Sequence, residues 1–153
     1  MTILAIDPGT THSAFVILDN DGIASHGFEE NQTVRDWLSG RLFKPWPALV
    51  ACEMIASYGM PVGRETFETC LWIGRFMEAR SLDSGFELIF RKDIKIHLCG
   101  SMRAKDANIR QALIDRLGPQ GTKKEPGPTY GIKSHVWAAL AVAAYARDKF
   151  CNA

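Results

Sequence analysis

The chain has 153 residues, 46% of them hydrophobic and 23% charged, with a formal net charge of +1. That length suits a single domain over 1–153 with a core that needs no staples. There is no apolar run near the roughly 18 residues of a membrane span, no secretory leader pattern and no CxxC pairing among Cys52, Cys70, Cys99 and Cys151, so the expectation is a cytoplasmic protein with buried free thiols, no membrane partner, no zinc site and no disulfide frame.

Residues 2–6 read as a buried strand and 13–18 as a second, with Asp7-Pro8-Gly9 breaking the alternation between them. Asn20-Asp21-Gly22 is a hairpin signal, because these residues tolerate the positive φ of tight turns, and 23–28 then forms a third strand in an antiparallel meander. Residues 32–42 have helical spacing, with Val34, Trp37, Leu38 and Leu42 on one face. Pro45-Trp46-Pro47 breaks the chain before a fourth strand, 48–52, which ends on Glu53. Over 64–81, Phe67, Cys70, Leu71, Gly74 and Met77 recur at helical spacing. Residues 86–90 form a fifth strand, and 104–117 an amphipathic helix around Ile109, Leu113 and Leu117 that Gly118-Pro119 stops. The Gly/Pro-rich stretch "PQGTKKEPGPTYG" is a loop, and Ser134 caps a final Ala-rich helix reaching about Lys149. A meander followed by alternating helices and strands gives an α/β fold with helices packed on a mixed sheet.

The small net charge conceals an asymmetry. Residues 1–90 carry six Lys/Arg against twelve Asp/Glu, whereas 91–133 carry ten against four. Concentrated basic charge suits a phosphate backbone, although a solvated helix face has the same composition.

Asp7 and Glu53 share one description: each ends a strand after an apolar run. Strand ends are where an α/β sheet holds groups rigidly yet open to a ligand. If the two strands are neighbours, the carboxylates converge and repel, and Mg²⁺ relieves this because it takes oxygen ligands and retains room for phosphate. The competing interpretation makes Asp7 a turn cap and Glu53 a solvated loop acid.

"LAIDPGTTHSAFVILD", "LVACEM" and "SHVWAALAVAAYA" together resemble the RuvC-type Holliday-junction resolvases, particularly their bacteriophage members, over nearly the whole chain and in the same order. The resemblance implies a ribonuclease-H-like fold: a five-stranded mixed sheet, meander plus parallel strands, flanked by helices. It implies a Mg²⁺-dependent endonuclease, with Mn²⁺ able to substitute and no small-molecule cofactor, that resolves or nicks branched DNA by two-metal hydrolysis. It places the first two acids on Asp7 and Glu53, as catalytic and metal-binding residues. Lys105 falls where the family has lysines that meet DNA; Arg103, Lys133, Lys123 and Lys124 extend that basic surface. Tyr58 lies two residues beyond the position of the family's junction-opening aromatic, with packing under the long helix as its alternative role.

The final motif departs from the family, whose last helix carries two acids three residues apart. Here those positions are His135 and Ala138. His135 can serve as a ligand or general base; Ala138 supplies nothing, and Glu65 and Glu68 are possible substitutes. The departure makes a non-catalytic or weakly catalytic branched-DNA-binding protein on the same scaffold the main alternative. "AIDPGTTHSA" also resembles the phosphate loop of the actin and Hsp70 ATPases, which need a second such domain that 153 residues do not hold. His12 reads as a sheet-surface residue, His26 and His97 have no evident partners, and Trp37, Trp46, Trp72 and Trp137 read as core or interface anchors. The family pairs subunits through the region of the long helix, so the Phe67/Leu71/Gly74 stripe implies a homodimer, whose two-fold suits symmetric cuts in a four-way junction.

Overall fold

The computed structural model describes residues 1–40, 47–81 and 85–152. Five strands, β1 (Ile3–Asp7), β2 (His12–Asp19), β3 (Gly22–Glu30), β4 (Leu49–Met54) and β5 (Phe86–Phe90), form one sheet in the order β3-β2-β1-β4-β5. The β1/β2 and β2/β3 pairs are antiparallel, and β1/β4 and β4/β5 are parallel. This is the mixed sheet of the ribonuclease-H-like fold, meander first, as the sequence predicts.

Alternation along the strands divides the core in two. Ile3, Ala5, Ala14, Val16, Leu18, Leu49 and Ala51 point to one face, which is covered by α5 (His135–Ala146) together with Ile94 of α3 (Arg91–Cys99) and Ile109 and Leu113 of α4 (Asp106–Leu117). Leu4, Ile6, Phe15, Ile17, Val50 and Cys52 point to the other, covered by α1 (Asn31–Leu38) and α2 (Arg64–Arg80) through Val34, Leu38, Ile73 and Phe76. Helix α5 is buried on nearly every side, and its alanines let it lie close against the sheet.

Several expectations change. Helix α1 ends at Leu38, and Leu42 and Trp46 lie outside the described residues. On α2 the buried face is Thr69, Ile73, Phe76 and Arg80, while Phe67 and Leu71 are 61% and 62% exposed. The apolar spacing was real, but the sheet takes the other side of the helix, where the Arg80 guanidinium donates to the Pro47 carbonyl at 2.5 Å. Helix α3 carries no amphipathic stripe that predicts it, since Ile94 is its only buried residue. The Ser134 side chain makes no cap: its φ is 51°, and the entry turn closes through backbone bonds from Val136 to Lys133 and from Trp137 to Ser134. The Gly/Pro loop is a small hairpin with a bridge between Gly121 and Pro126, and buried Thr129 donates to the Gly118 carbonyl. Of the four free thiols, only Cys52 is fully buried. His97 has a partner after all, Asp148 at 2.7 Å, which Arg116 also contacts. No described helix is long and apolar enough to cross a membrane.

Candidate active site

The parallel β1/β4 register runs to Ile6 opposite Cys52, so Asp7 and Glu53 stand one step further, at adjacent strand ends. Asp7 has the parity of Ile3 and Ala5, and Glu53 that of Leu49 and Ala51; both carboxylates therefore emerge on the α5 face. The turn behind Asp7 is fixed by a buried polar network. The Ser13 hydroxyl donates to Asn31 Oδ1 at 2.6 Å, Asn31 Nδ2 donates to the Gly9 carbonyl at 2.9 Å, and the Asn31 amide donates to the Thr11 carbonyl. Gly9 is required in this turn, since a Cβ there would lie 2.3 Å from the His12 carbonyl oxygen. That is the physical reason for the Asp-Pro-Gly break: it ends the strand and locks the carboxylate in place.

The two acids line a cleft of about 460 Å³ together with Arg91, Asp106, Arg110, Ser134, His135, Trp137 and Ala138. His135 Nδ1 lies 3.2 Å from Asp7 Oδ2, so the first residue of α5 reaches across the sheet end to the first acid. Burial pushes the Asp7 carboxyl above its usual range, although the charges of His135 and Arg91 work against it. Glu53 is pushed up to about 7, first by burial and then by the Asp7 charge, with Arg91 offsetting part of the shift. Burial, and after it the charges of Asp7 and Glu53, raise the Cys52 thiol beneath them.

Glu53 Oε2 is buried without a hydrogen-bond partner. A buried carboxylate oxygen that is left unpaired carries a desolvation cost of kcal/mol size unless a cation meets it. Two converging carboxylates, one with an orphaned oxygen, fit a hard divalent cation that keeps its other positions for water or phosphate oxygen. Among the described residues no group of three or more His, Cys, Asp or Glu is arranged to hold a metal by side chains alone. The donor set that fits is thus the carboxylate pair.

Three cleft residues were not singled out from the sequence. Arg91 follows β5 directly, on the parity of inward-facing Ile89, with its Nη1 3.7 Å from Glu53 Oε1. Its other terminal nitrogen pairs with Asp106, in the first turn of α4. Arg110, one turn along α4, lies over the Trp137 ring at 5.4 Å. The strand-end rule that located Asp7 and Glu53, applied to β5, would have found Arg91. Glu65 and Glu68 do not line the cleft, and Glu68 is paired with Arg64. A further missed group is Phe28, which lies opposite Ala14 and is 55% exposed; it stacks between His12 and His135 at 5.3 and 6.0 Å.

The expected DNA-facing residues are all exposed. Lys133 lines a shallow pocket with Phe28 and His135, and Lys105 adjoins Asp106 at the head of α4. Arg103 lies in the turn just before it, whereas Lys123 and Lys124 stand on the Gly121–Pro126 hairpin and do not line the cleft. Tyr58 is 62% exposed with φ 51°, so it does not pack under α2; it borders grooves lined by Phe90 and Lys92 and by Arg91, Lys95 and Met102.

The fold is similar to that of RuvC. Thermus thermophilus RuvC superposes with a TM-score of 0.72 at 19% identity, over 97% of this chain and 96% of that one. The same protein in complex with a Holliday-junction substrate superposes with a TM-score of 0.65, at the same identity and coverage. No family model matches the chain, and no curated protein matches it in sequence.

Proposed function

We propose that this chain is a single-domain, metal-dependent endonuclease that nicks or resolves branched DNA, akin to the bacteriophage members of the RuvC type. The observation that carries the reading is the buried Asp7/Glu53 pair at adjacent strand ends, with its orphaned Glu53 oxygen, on a RuvC-like fold. The junction-bound form of the structural neighbour supports branched DNA as the substrate.

Asp7 and Glu53 would hold Mg²⁺, with Mn²⁺ as a substitute. Bound there, the ion supplies Lewis-acid stabilisation of charge on the phosphodiester oxygens. The chain's own residues do the rest. His135 is 68% exposed on its side chain and keeps Nδ1 on Asp7, which leaves its ring open to accept the proton of the attacking water. Lys105, Arg103, Lys133, Lys123 and Lys124 would hold the backbone, giving an affinity that falls steeply with salt. Tyr58, exposed beside Phe90 and Lys92, would stack on a base unpaired at the crossover. Phe67 and Leu71, with Gly74 on the same stripe of α2, would pair two copies and present two sites to a four-way junction.

The test is cleavage of four-way, three-way and flap DNAs in Mg²⁺, Mn²⁺ and EDTA. Metal-dependent nicks at the branch point are expected. Tight junction binding without nicks in either metal would replace this reading with the non-catalytic binder that Ala138 suggests.

A further inference from the structure

We infer that Arg91 is a catalytic residue that contacts the phosphate under attack, held for that task by Asp106. The inference rests on the nuclease reading and extends it to how the cleft manages with few carboxylates. Among the described residues the acids lining the cleft are Asp7, Glu53 and Asp106; Asp106 is taken by Arg91, and Ala138 lines the same wall without contributing an oxygen. Displacement at a phosphodiester needs positive charge on both the attacking and the leaving side. Two carboxylates hold one divalent ion readily, and with Ala138 offering no oxygen a cationic side chain in the cleft can supply further positive charge.

Arg91 is placed to supply it. Its side chain is 29% exposed, and it is anchored from two sides: Nη1 lies 3.7 Å from Glu53 Oε1 and Nη2 donates to Asp106 Oδ1. A guanidinium has five N–H donors in a planar fork that matches phosphate oxygens, and among the described residues its one hydrogen bond goes to Asp106. The contact with Glu53 is too long for a hydrogen bond, so donors remain for a ligand in the cleft. The water attacks phosphorus as His135 takes its proton, the bond to the leaving sugar oxygen breaks as that oxygen takes a proton from solvent, and the charge gathered on the phosphoryl oxygens is met by the guanidinium. Arg91 stays protonated throughout. Asp106 is a positioning residue that fixes the fork.

An alternative role, that Arg91 only neutralises the acid pair until metal arrives, predicts a near-wild-type cleavage rate once metal saturates the site, and two measurements separate the roles. Mn²⁺ affinity is read by calorimetry without DNA, and cleavage of a four-way junction at saturating Mg²⁺. If Arg91 meets phosphate, Arg91→Ala binds Mn²⁺ as tightly as wild type or tighter, because a repelling cation is gone. It nevertheless cuts at least about 10²-fold more slowly, the typical loss for one pre-positioned donor. Arg91→Lys keeps the charge but loses the fork and falls between the two. Asp106→Asn, at an exposed position, loses several-fold in rate at unchanged Mn²⁺ affinity; should Arg91→Ala fail to fold, this variant and Arg91→Lys decide the matter.

Cleavage by Arg91→Ala within a few-fold of wild type overturns the inference. So does parallel loss of Mn²⁺ affinity and rate in Arg91→Ala, which would show Arg91 acting through the carboxylates. Weakened Mn²⁺ binding in Asp106→Asn would make Asp106 a ligand and overturn its positioning role. If the wild-type protein cuts no branched DNA, the nuclease reading itself falls, an outcome distinct from an active wild type with an equally active variant.

Discussion

Replacing Glu53 by Gln tests the electrostatics of the acid pair without any assumption about substrate. The folded protein holds the Glu53 proton up to about pH 7, whereas the ordinary value is 4.5. Between these limits the native state binds more protons than the unfolded chain, so stability falls as pH rises. The contribution is fully present below pH 4.5 and lost above about 7. At about 1.36 kcal/mol per pKa unit, the loss is about 3 kcal/mol. For a chain of this length that corresponds to roughly 6–12 °C in Tm. Gln mimics the protonated acid and has no such slope. Urea unfolding in EDTA at pH 5, 6, 7 and 8 should therefore give curves that nearly coincide at pH 5 and separate by pH 8, with Glu53→Gln the more stable. A constant offset across the series, or a variant less stable at pH 8, would refute the reasoning that burial and the Asp7 charge strain this carboxylate.

Gly9→Ala puts a Cβ 2.3 Å from the His12 carbonyl and should lower Tm while cutting the cleavage rate more than the melting shift explains, because the displaced turn carries Asp7. Phe67→Ser combined with Leu71→Ser should convert a dimer to a monomer in sedimentation at unchanged Tm, since both side chains are exposed on α2. A dimer that survives would remove that face from the interface. Tyr58→Ala should melt like wild type yet resolve four-way junctions several-fold more slowly, with less effect on flaps. Full activity on junctions would rule out base stacking there.

The strands β1, β2 and β4 were legible as short apolar runs bounded by turn residues, because both faces of the sheet are covered and these strands are buried almost throughout. The positions of Asp7 and Glu53 follow from the ends of those runs plus one inference, that β1 and β4 are neighbours. The buried face of α2 was not legible. Phe67 and Leu71 have better apolar credentials than Thr69 and Arg80, yet the helix seats Ile73 and Phe76 in the core and ties Arg80 to the Pro47 carbonyl, a tertiary contact. The Arg91–Asp106 pair joins residues 15 apart on different helices, and His97–Asp148 joins residues 51 apart. No local pattern encodes such contacts. Phe28 was readable in principle, as a residue of the α5 face on the outer strand, but its stacking on His12 and His135 depends on three separate elements converging.

The central claim is that Asp7 and Glu53 make a metal-dependent phosphodiester site aimed at branched DNA. Its most direct test maps the nicks made in a four-way junction by the wild-type protein and by Asp7→Asn, at equal junction occupancy in Mg²⁺. Paired nicks close to the crossover from the wild type, and none from Asp7→Asn, are predicted. An inert wild-type protein on a bound junction, or an Asp7→Asn variant that cuts at the wild-type rate, would contradict the account.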